Sequence, residues 1–255
     1  MRILITNDDG IHAPGLFALV EGLNAHHELS IVAPEQEQSA VGHAITLLQP
    51  LRVKPVNLRN GMRGFAVSGT PADCVKIAVA EILTEPPDLV LSGINLGANA
   101  GIDALYSGTV SAATEGAILG IPSIAVSLDT FTDPDFTASV HIVRRLVDRA
   151  SAGDLPLNSA LNVNVPALPW EEIKGIAYTR HGASRYEERF ERRVDPRGNS
   201  YFWQTGNTHL LRVELGTDRH ALQQGKIAIT PIHFDLTDYR ALELLSKRPI
   251  HEETM

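Results

Sequence analysis

The chain begins Met-Arg-Ile-Leu-Ile-Thr-Asn-Asp-Asp-Gly, and these ten residues restrict its possible folds more than any later segment. Arg2 to Thr6 is a short apolar, β-branched run of the kind a buried parallel strand shows, and it stops abruptly at Asn7, Asp8, Asp9 and Gly10. Two adjacent carboxylates therefore stand at the mouth of a buried strand. Like charges this close push one another toward protonation unless something positive lies between them, and a divalent cation meets that need. The competing reading is plain turn chemistry, since Asn, Asp and Gly are the ordinary residues of tight turns.

Downstream, Pro14 and Gly15 precede Leu16, Phe17, Leu19, Val20 and Leu23, the spacing of a helix with one buried face, and Leu29 to Ala33 reads as a second strand. Strand, helix and strand in so short a span make a βαβ unit, which builds parallel sheets. Pro34 to His43 is a polar loop. Ile45 to Val56 carries Pro50 and Pro55, which predicts an edge or an excursion rather than a central strand. After a strand at Phe65 to Ser68, Thr70, Pro71 and Asp73 have the layout of a helix start, and Val75 to Leu83 continue it.

Asp88 to Leu91 reads as the next buried strand, followed by an irregular glycine-spaced stretch from Ser92 to Gly101. Ser107-Gly108-Thr109 opens a helix of small residues, Ser123 to Leu128 is a strand, Val140 to Val147 an amphipathic helix and Leu161 to Val165 another strand. From Pro134 the texture changes. Tyr178 to Arg193 holds five arginines, and Asp195-Pro196-Arg197-Gly198 before Tyr201, Phe202 and Trp203 predicts a protruding hairpin. Thr217 to Gln224 reads as a short helix, Lys226 to Ile232 as a strand, and the tail from Lys247 as frayed.

Composition narrows the functional classes. A formal net charge of -8 argues against a nucleic acid polymer as partner. Cys74 is the only cysteine, so an intrachain disulfide framework is excluded, and its apolar helical setting predicts a core residue. Asp8 and Asp9 interrupt the first apolar run too early for an export signal, and no uncharged stretch reaches the ~18 residues of a membrane span. The expectation is a cytoplasmic protein that does not enter membranes.

In an open α/β sheet, ligands bind beyond the carboxyl ends of the strands. That edge collects Asn7, Asp8 and Asp9, then Ser39, then Asn95 and Asn99, and then Asp129, which reads as loop. Two carboxylates, a hydroxyl and an amide carbonyl are oxygen donors suited to Mg²⁺, Mn²⁺ or Ca²⁺ rather than to a closed zinc site. Thr109, with Ser107 and Gly108, lies at a helix N-terminus, where backbone N–H groups and the helix dipole favour phosphate. A cation beside a phosphate cradle points to phosphoryl chemistry, with Asp8 or Asp9 orienting or deprotonating the attacking water and Asn99, Ser107 and Thr109 holding the phosphate. Of the histidines, His12 and His43 stand in loops that could face this edge. The Gly-x-Gly-x-x-Gly turn of dinucleotide binders and the Gly-x-x-x-x-Gly-Lys-Ser/Thr loop of P-loop enzymes are both absent. A metal-binding nucleotide sensor or interaction protein without hydrolysis is the alternative.

These segments resemble the SurE family of stationary-phase survival proteins, divalent-metal-dependent nucleoside monophosphate phosphatases. The matching stretches are Ile5 to Gly10 with Ala13-Pro14-Gly15, Ala33-Pro34 with Ser39, Ser68 to Asp73, Ser92 to Asn95 with Gly97, Asn99 and Gly101, and Tyr106 to Val110. Later echoes are Asp195 to Gly198, Thr217-Asp218 and Ile229-Thr230-Pro231. The resemblance implies one divalent cation per subunit, Mg²⁺ or Mn²⁺, on Asp8, Asp9, Ser39 and Asn95, with Asn99, Ser107, Gly108 and Thr109 around the phosphate. It implies hydrolysis of 5′- and 3′-nucleoside monophosphates and of short polyphosphate, and a homodimer or homotetramer. The implied fold is α/β: a Rossmann-like, mostly parallel sheet with helices on both faces, plus a C-terminal extension with a protruding hairpin or arm. Residues 1–130 would carry the metal and phosphate site and 131–255 the rest of the α/β core and the oligomerisation arm, together one SurE-like domain.

Overall fold

The computed structural model describes residues 1–183, 186–210 and 213–247. Its first half runs β1 (Arg2–Thr6), α1 (Pro14–Leu23), β2 (Glu28–Pro34), β3 (Val53–Asn57), β4 (Arg63–Val67), α2 (Pro71–Ile77), β5 (Leu89–Leu96) and α3 (Gly108–Ile118). The second half runs β6 (Ser123–Asp129), α4 (Thr137–Ser151), β7 (Ala160–Pro166), β8 (Ile176–Tyr178), β9 (Tyr186–Val194), β10 (Ser200–Leu210), α5 (Asp218–Gln223), β11 (Ile227–Ile232) and α6 (Tyr239–Ser246).

Among the described residues nine strands form one sheet in the order β3-β4-β2-β1-β5-β6-β7-β11-β8. Pairing is parallel from β4 through β7, while β3 on β4 and β11 on β7 are antiparallel. Period-two alternation decides which helices cover which face. Ile3 and Ile5 of β1 point into a cluster with Leu16, Leu19 and Leu23 of α1 and Ile142 and Leu146 of α4. Leu4, between them, joins Cys74 and Val75 of α2 and Ala112 of α3 on the other face. Each fully buried Leu or Ile contributes roughly 1.5–3 kcal/mol, which is why a strand apolar on every residue stays at the centre.

Local chemistry explains the element starts. Thr70 accepts the Asp73 N–H at 3.2 Å and Asp73 accepts the Thr70 N–H at 3.0 Å, closing a capping box with Pro71 in the first turn. Pro55 sits in β3 at the sheet edge, where its missing N–H costs least. Two readings need correction. β5 does not end at Leu91 but continues to Leu96, because Asn95 and Leu96 pair with Ser127 and Leu128 of β6 after a register shift. Beyond β11, a helix at Tyr239–Ser246 stands where the sequence reading placed none.

The hairpin is present as β9 and β10, paired antiparallel across the Asp195 to Gly198 turn, with Phe190, Phe202 and Trp203 exposed. Arg185 of the arginine-rich segment and the tail from 248 to 255 lie outside the described residues. No helix among the described residues is long and apolar enough to cross a membrane.

Candidate active site

The order of strands reverses at β1: the chain crosses to β2 on one side and later returns to place β5 on the other. The loops after β1 and β5 therefore diverge and leave a crevice at their carboxyl ends. A cavity of about 280 Å³ occupies it, lined by Asp8, Ser39, Asn95, Asn99 and Ser107 among others. A larger cavity of about 650 Å³ lies elsewhere and is mostly apolar, with Leu105, Ile118, Phe234 and Leu236 in its wall.

Backbone bonds bring the loops together. The Gln38 N–H donates to the Asp8 carbonyl at 2.8 Å and the Gly42 N–H to the Tyr106 carbonyl at 2.9 Å, so the loop carrying Ser39 is pinned at both ends across the crevice. Between these ties Ala40 takes a φ of 57°, a conformation uncommon for a residue with a side chain, beside Ser39. His43 holds the same loop from the other side: its Nε2 lies 2.8 Å from the buried Glu115, which Lys76 also approaches at 3.2 Å. His43 faces the apolar cavity, not the acidic one, and His12 is exposed and lines neither.

Asp8 is buried, and the Thr109 hydroxyl donates to its Oδ1 at 2.5 Å. Helix α3 comes this close because residue 108 is glycine. A Cβ there would stand 2.7 Å from the Asp8 Cβ and 3.0 Å from Pro71 Cγ. Ser107 caps the helix, accepting the Val110 N–H at 3.1 Å. Asn95 spends its amide N–H groups on the Leu96 and Gly97 carbonyls at 3.1 and 2.8 Å, which leaves its amide oxygen to offer. Asn99 is fixed from beneath: its N–H donates to Asn164 at 2.8 Å and its side chain to Ser127 at 2.9 Å. Asn162 donates to the Asn99 carbonyl at 2.7 Å.

Asp9, Gly108 and Thr109 do not line the cavity. Gly108 and Thr109 instead stand against Asp8, and Asp9 is partly exposed beside it. Burial pushes the Asp8 carboxyl above the usual carboxylate range, with the Thr109 hydrogen bond opposing it. Asp9 is pushed up to about 7 by burial, then by the charges of Asp8 and Glu37. Cys74 is buried in the core, as the sequence predicts, and burial pushes its thiol up, away from the reactive thiolate.

The cavity wall also contains Asp129, which the sequence places at this edge as loop, and Asp103, Tyr106, Phe131 and Arg219, which the sequence did not assemble. Burial raises Asp103 and Asp129, and the Arg219 guanidinium counteracts it at both. Asp129 had carried a signal, standing at the same sheet edge as the others. Arg219 had none, because 116 residues separate it from Asp103.

Two carboxylates side by side, one of them buried, with neutral oxygen donors across a crevice, match the needs of a hard divalent cation. Among the described residues no three His, Cys, Asp or Glu side chains are grouped to hold a metal.

The fold and crevice define an α/β protein with an acidic, oxygen-lined cavity at the switch point of its sheet. The profile of the family described as "Survival protein SurE" matches residues 3–188. Similar curated proteins include a "5′-nucleotidase SurE" of Syntrophobacter fumaroxidans, 53% identical over 247 residues and covering 97% of this chain and 99% of that one. Another, from Heliobacterium modesticaldum, is 51% identical over 247 residues, covering 96% and 91%. The crystal structure of the SurE protein from Aquifex aeolicus superposes with a TM-score of 0.84 at 40% identity, covering 97% of this chain and 99% of that one. The chain belongs to the SurE family.

Proposed function

We propose that this protein hydrolyses nucleoside 5′-monophosphates to nucleoside and phosphate in the crevice between β1 and β5, using one divalent cation held by Asp8, Asp9, Ser39 and Asn95. The observation that carries the reading is the convergence of Asp8, Ser39, Asn95, Asn99 and Ser107 on one cavity at the sheet's switch point. The names of the relatives support the reaction.

When bound, Mg²⁺ or Mn²⁺ supplies charge neutralisation for the phosphoryl oxygens and lowers the pKa of a coordinated water. The remaining work falls to the chain. Asp8, which lines the cavity, or Asp9, partly exposed beside it, orients the attacking water and takes its proton. Asn99, in a loop held by Asn162, Asn164 and Ser127, and Ser107, at the start of α3, offer N–H and O–H groups to the phosphate. Thr109 holds the Asp8 carboxylate through its hydroxyl, and Gly108 lets α3 come close enough for it. Thr109→Val should therefore keep the fold and weaken Mn²⁺ binding by about 10- to 100-fold, read by calorimetry.

Metal affinity should follow the titration of Asp9. With its carboxyl raised to about 7, the protonated form dominates below that pH and must lose its proton to bind a cation. Mn²⁺ affinity is expected to fall as pH drops from 8 to 6 and to approach a plateau above about 8, with protons released on binding.

The reaction is tested by phosphate release from a panel of 5′- and 3′-nucleoside monophosphates and short polyphosphate, with Mg²⁺, with Mn²⁺ and with chelator. Release from 5′-monophosphates that chelation abolishes is the expected outcome; release that survives chelation counts against the cation's role. Metal binding without release would favour a sensor. We place the activity in the cytoplasm. The exposed aromatics Phe190, Phe202 and Trp203 of the hairpin suit contact with a second copy in a homodimer or homotetramer, which light scattering reads directly.

A further inference from the structure

The cavity is more acidic than a site for an anion should be. Among the described residues its lining carries three carboxylates, Asp8, Asp103 and Asp129, and one guanidinium, Arg219. One divalent cation answers Asp8 and Asp9. Asp103 and Asp129 stand outside that set, each with part of its side chain exposed, 31% and 38%. Left alone, they would repel a dianionic phosphate.

Arg219 meets this charge from a buried position, with only 8% of its side chain exposed. Its Nη2 donates to Asp103 Oδ2 at 2.7 Å and to the Ala98 carbonyl at 3.4 Å, and its Nη1 lies 3.6 Å from Asp129 Oδ1. These partners belong to two different walls: Ala98 and Asp103 follow β5, and Asp129 ends β6. The neighbouring Asp218 adds a tie to the first wall, accepting the Gly101 N–H at 2.7 Å. The start of α5 thus reaches back across the sheet edge to the loop that carries Asn99.

We propose that Arg219 is a positioning residue for the anionic substrate: by bridging Asp103 and Asp129 it cancels carboxylate charge inside the cavity and holds two of its walls together. The proposal rests on the nucleotidase reading for the identity of the substrate, and on the geometry alone for the charge balance. Nη1 and Nη2 are engaged by Asp129, Asp103 and the Ala98 carbonyl, which sets Arg219 apart from the groups proposed to touch the reacting atoms. Its effect belongs in KM and in anion affinity rather than in kcat.

Arg219→Gln keeps N–H donors and removes the charge. With 5′-AMP as probe and saturating Mn²⁺, KM is expected to rise about five- to tenfold with kcat within about twofold of the parent chain, and added salt should shrink the difference by screening. Combining it with Asp129→Asn should return KM to within about twofold, since the repelling charge goes with it. A merely structural arginine would give neither the salt dependence nor the rescue. An unchanged KM in Arg219→Gln, or a loss confined to kcat that Asp129→Asn does not restore, overturns the proposal. Should Arg219→Gln fail to fold, Asp129→Asn in the otherwise intact chain reads the same charge with the opposite sign: KM should fall about threefold, and an unchanged KM overturns the proposal. Inorganic phosphate binding by calorimetry makes the same comparison without turnover. A chain that binds phosphate but releases none counts against the nucleotidase reading, and the ratio of phosphate affinities still judges Arg219.

Discussion

Asp8→Asn is expected to lower phosphate release by on the order of 10³-fold while leaving the chain folded. Asparagine has nearly the shape of aspartate and can still accept the Thr109 hydroxyl, so the contact between the end of β1 and α3 survives. What disappears is the negative charge that a cation needs. Thermal unfolding supplies a second readout with a definite sign. The Asp8 carboxyl is raised in the folded protein, chiefly by burial, so the folded state holds a proton that the unfolded chain gives up. Without metal, stability therefore falls as pH rises from the ordinary carboxylate range toward the raised value, and that loss persists at higher pH. At pH 8 the metal-free Asp8→Asn chain should melt above the metal-free parent. Added Mn²⁺ should raise the parent's melting temperature and leave the variant's almost unchanged. Normal turnover by the variant would remove Asp8 from the mechanism.

Gly15→Ala should cost about 3 kcal/mol or more of stability, among the largest effects of any single methyl addition in the chain. Gly15 lies in the first turn of α1, where its missing side chain lets the helix settle on β5. A Cβ would stand 2.0 Å from the Ile94 carbonyl oxygen, 2.9 Å from its carbon and 3.3 Å from its Cα. All three are backbone atoms of a central strand, so no side chain can swing aside. Either α1 lifts from the sheet or β5 moves, and Asn95 follows Ile94 directly. Urea unfolding should show the midpoint moving down with little change in slope, and any folded fraction should bind Mn²⁺ more weakly. A stability within about 1 kcal/mol of the parent would contradict the packing.

What could be read without coordinates had local causes. The apolar run of β1 ending in Asn7-Asp8-Asp9-Gly10, the Thr70-Pro71-Asp73 cap and the Ser107-Gly108-Thr109 helix start each declare themselves within a few residues, because backbone donors, proline geometry and burial act over one turn or one strand. The mostly parallel sheet follows from their alternation, and the SurE-like fold agrees with that reading.

What escaped had causes far apart along the chain. β5 continues past Gly93 because β6 holds it, and nothing in Ser92 to Leu96 alone announces that partner. Arg219 reaches Asp103 and Asp129 only through the order of strands. Thr109 stands at a helix start as the sequence predicts, but nothing local announces that its hydroxyl goes to Asp8, 101 residues away. Helix α6 is a different case: Asp238 caps it, accepting the Arg240 and Ala241 N–H groups at 3.0 Å, and Leu242 and Leu245 share a stripe, so a signal was present and not used.

The most direct trial of the proposed site is diffraction at the manganese edge from crystals grown with Mn²⁺ and inorganic phosphate. One anomalous peak per chain is expected at the carboxyl end of β1, about 2.0–2.3 Å from carboxylate oxygens of Asp8 and Asp9 and from the Asn95 amide oxygen, with Ser39 beside it and phosphate against Asn99 and Ser107. No peak at saturating Mn²⁺, or a peak bound elsewhere with Asp8 and Asn95 unengaged, would contradict it.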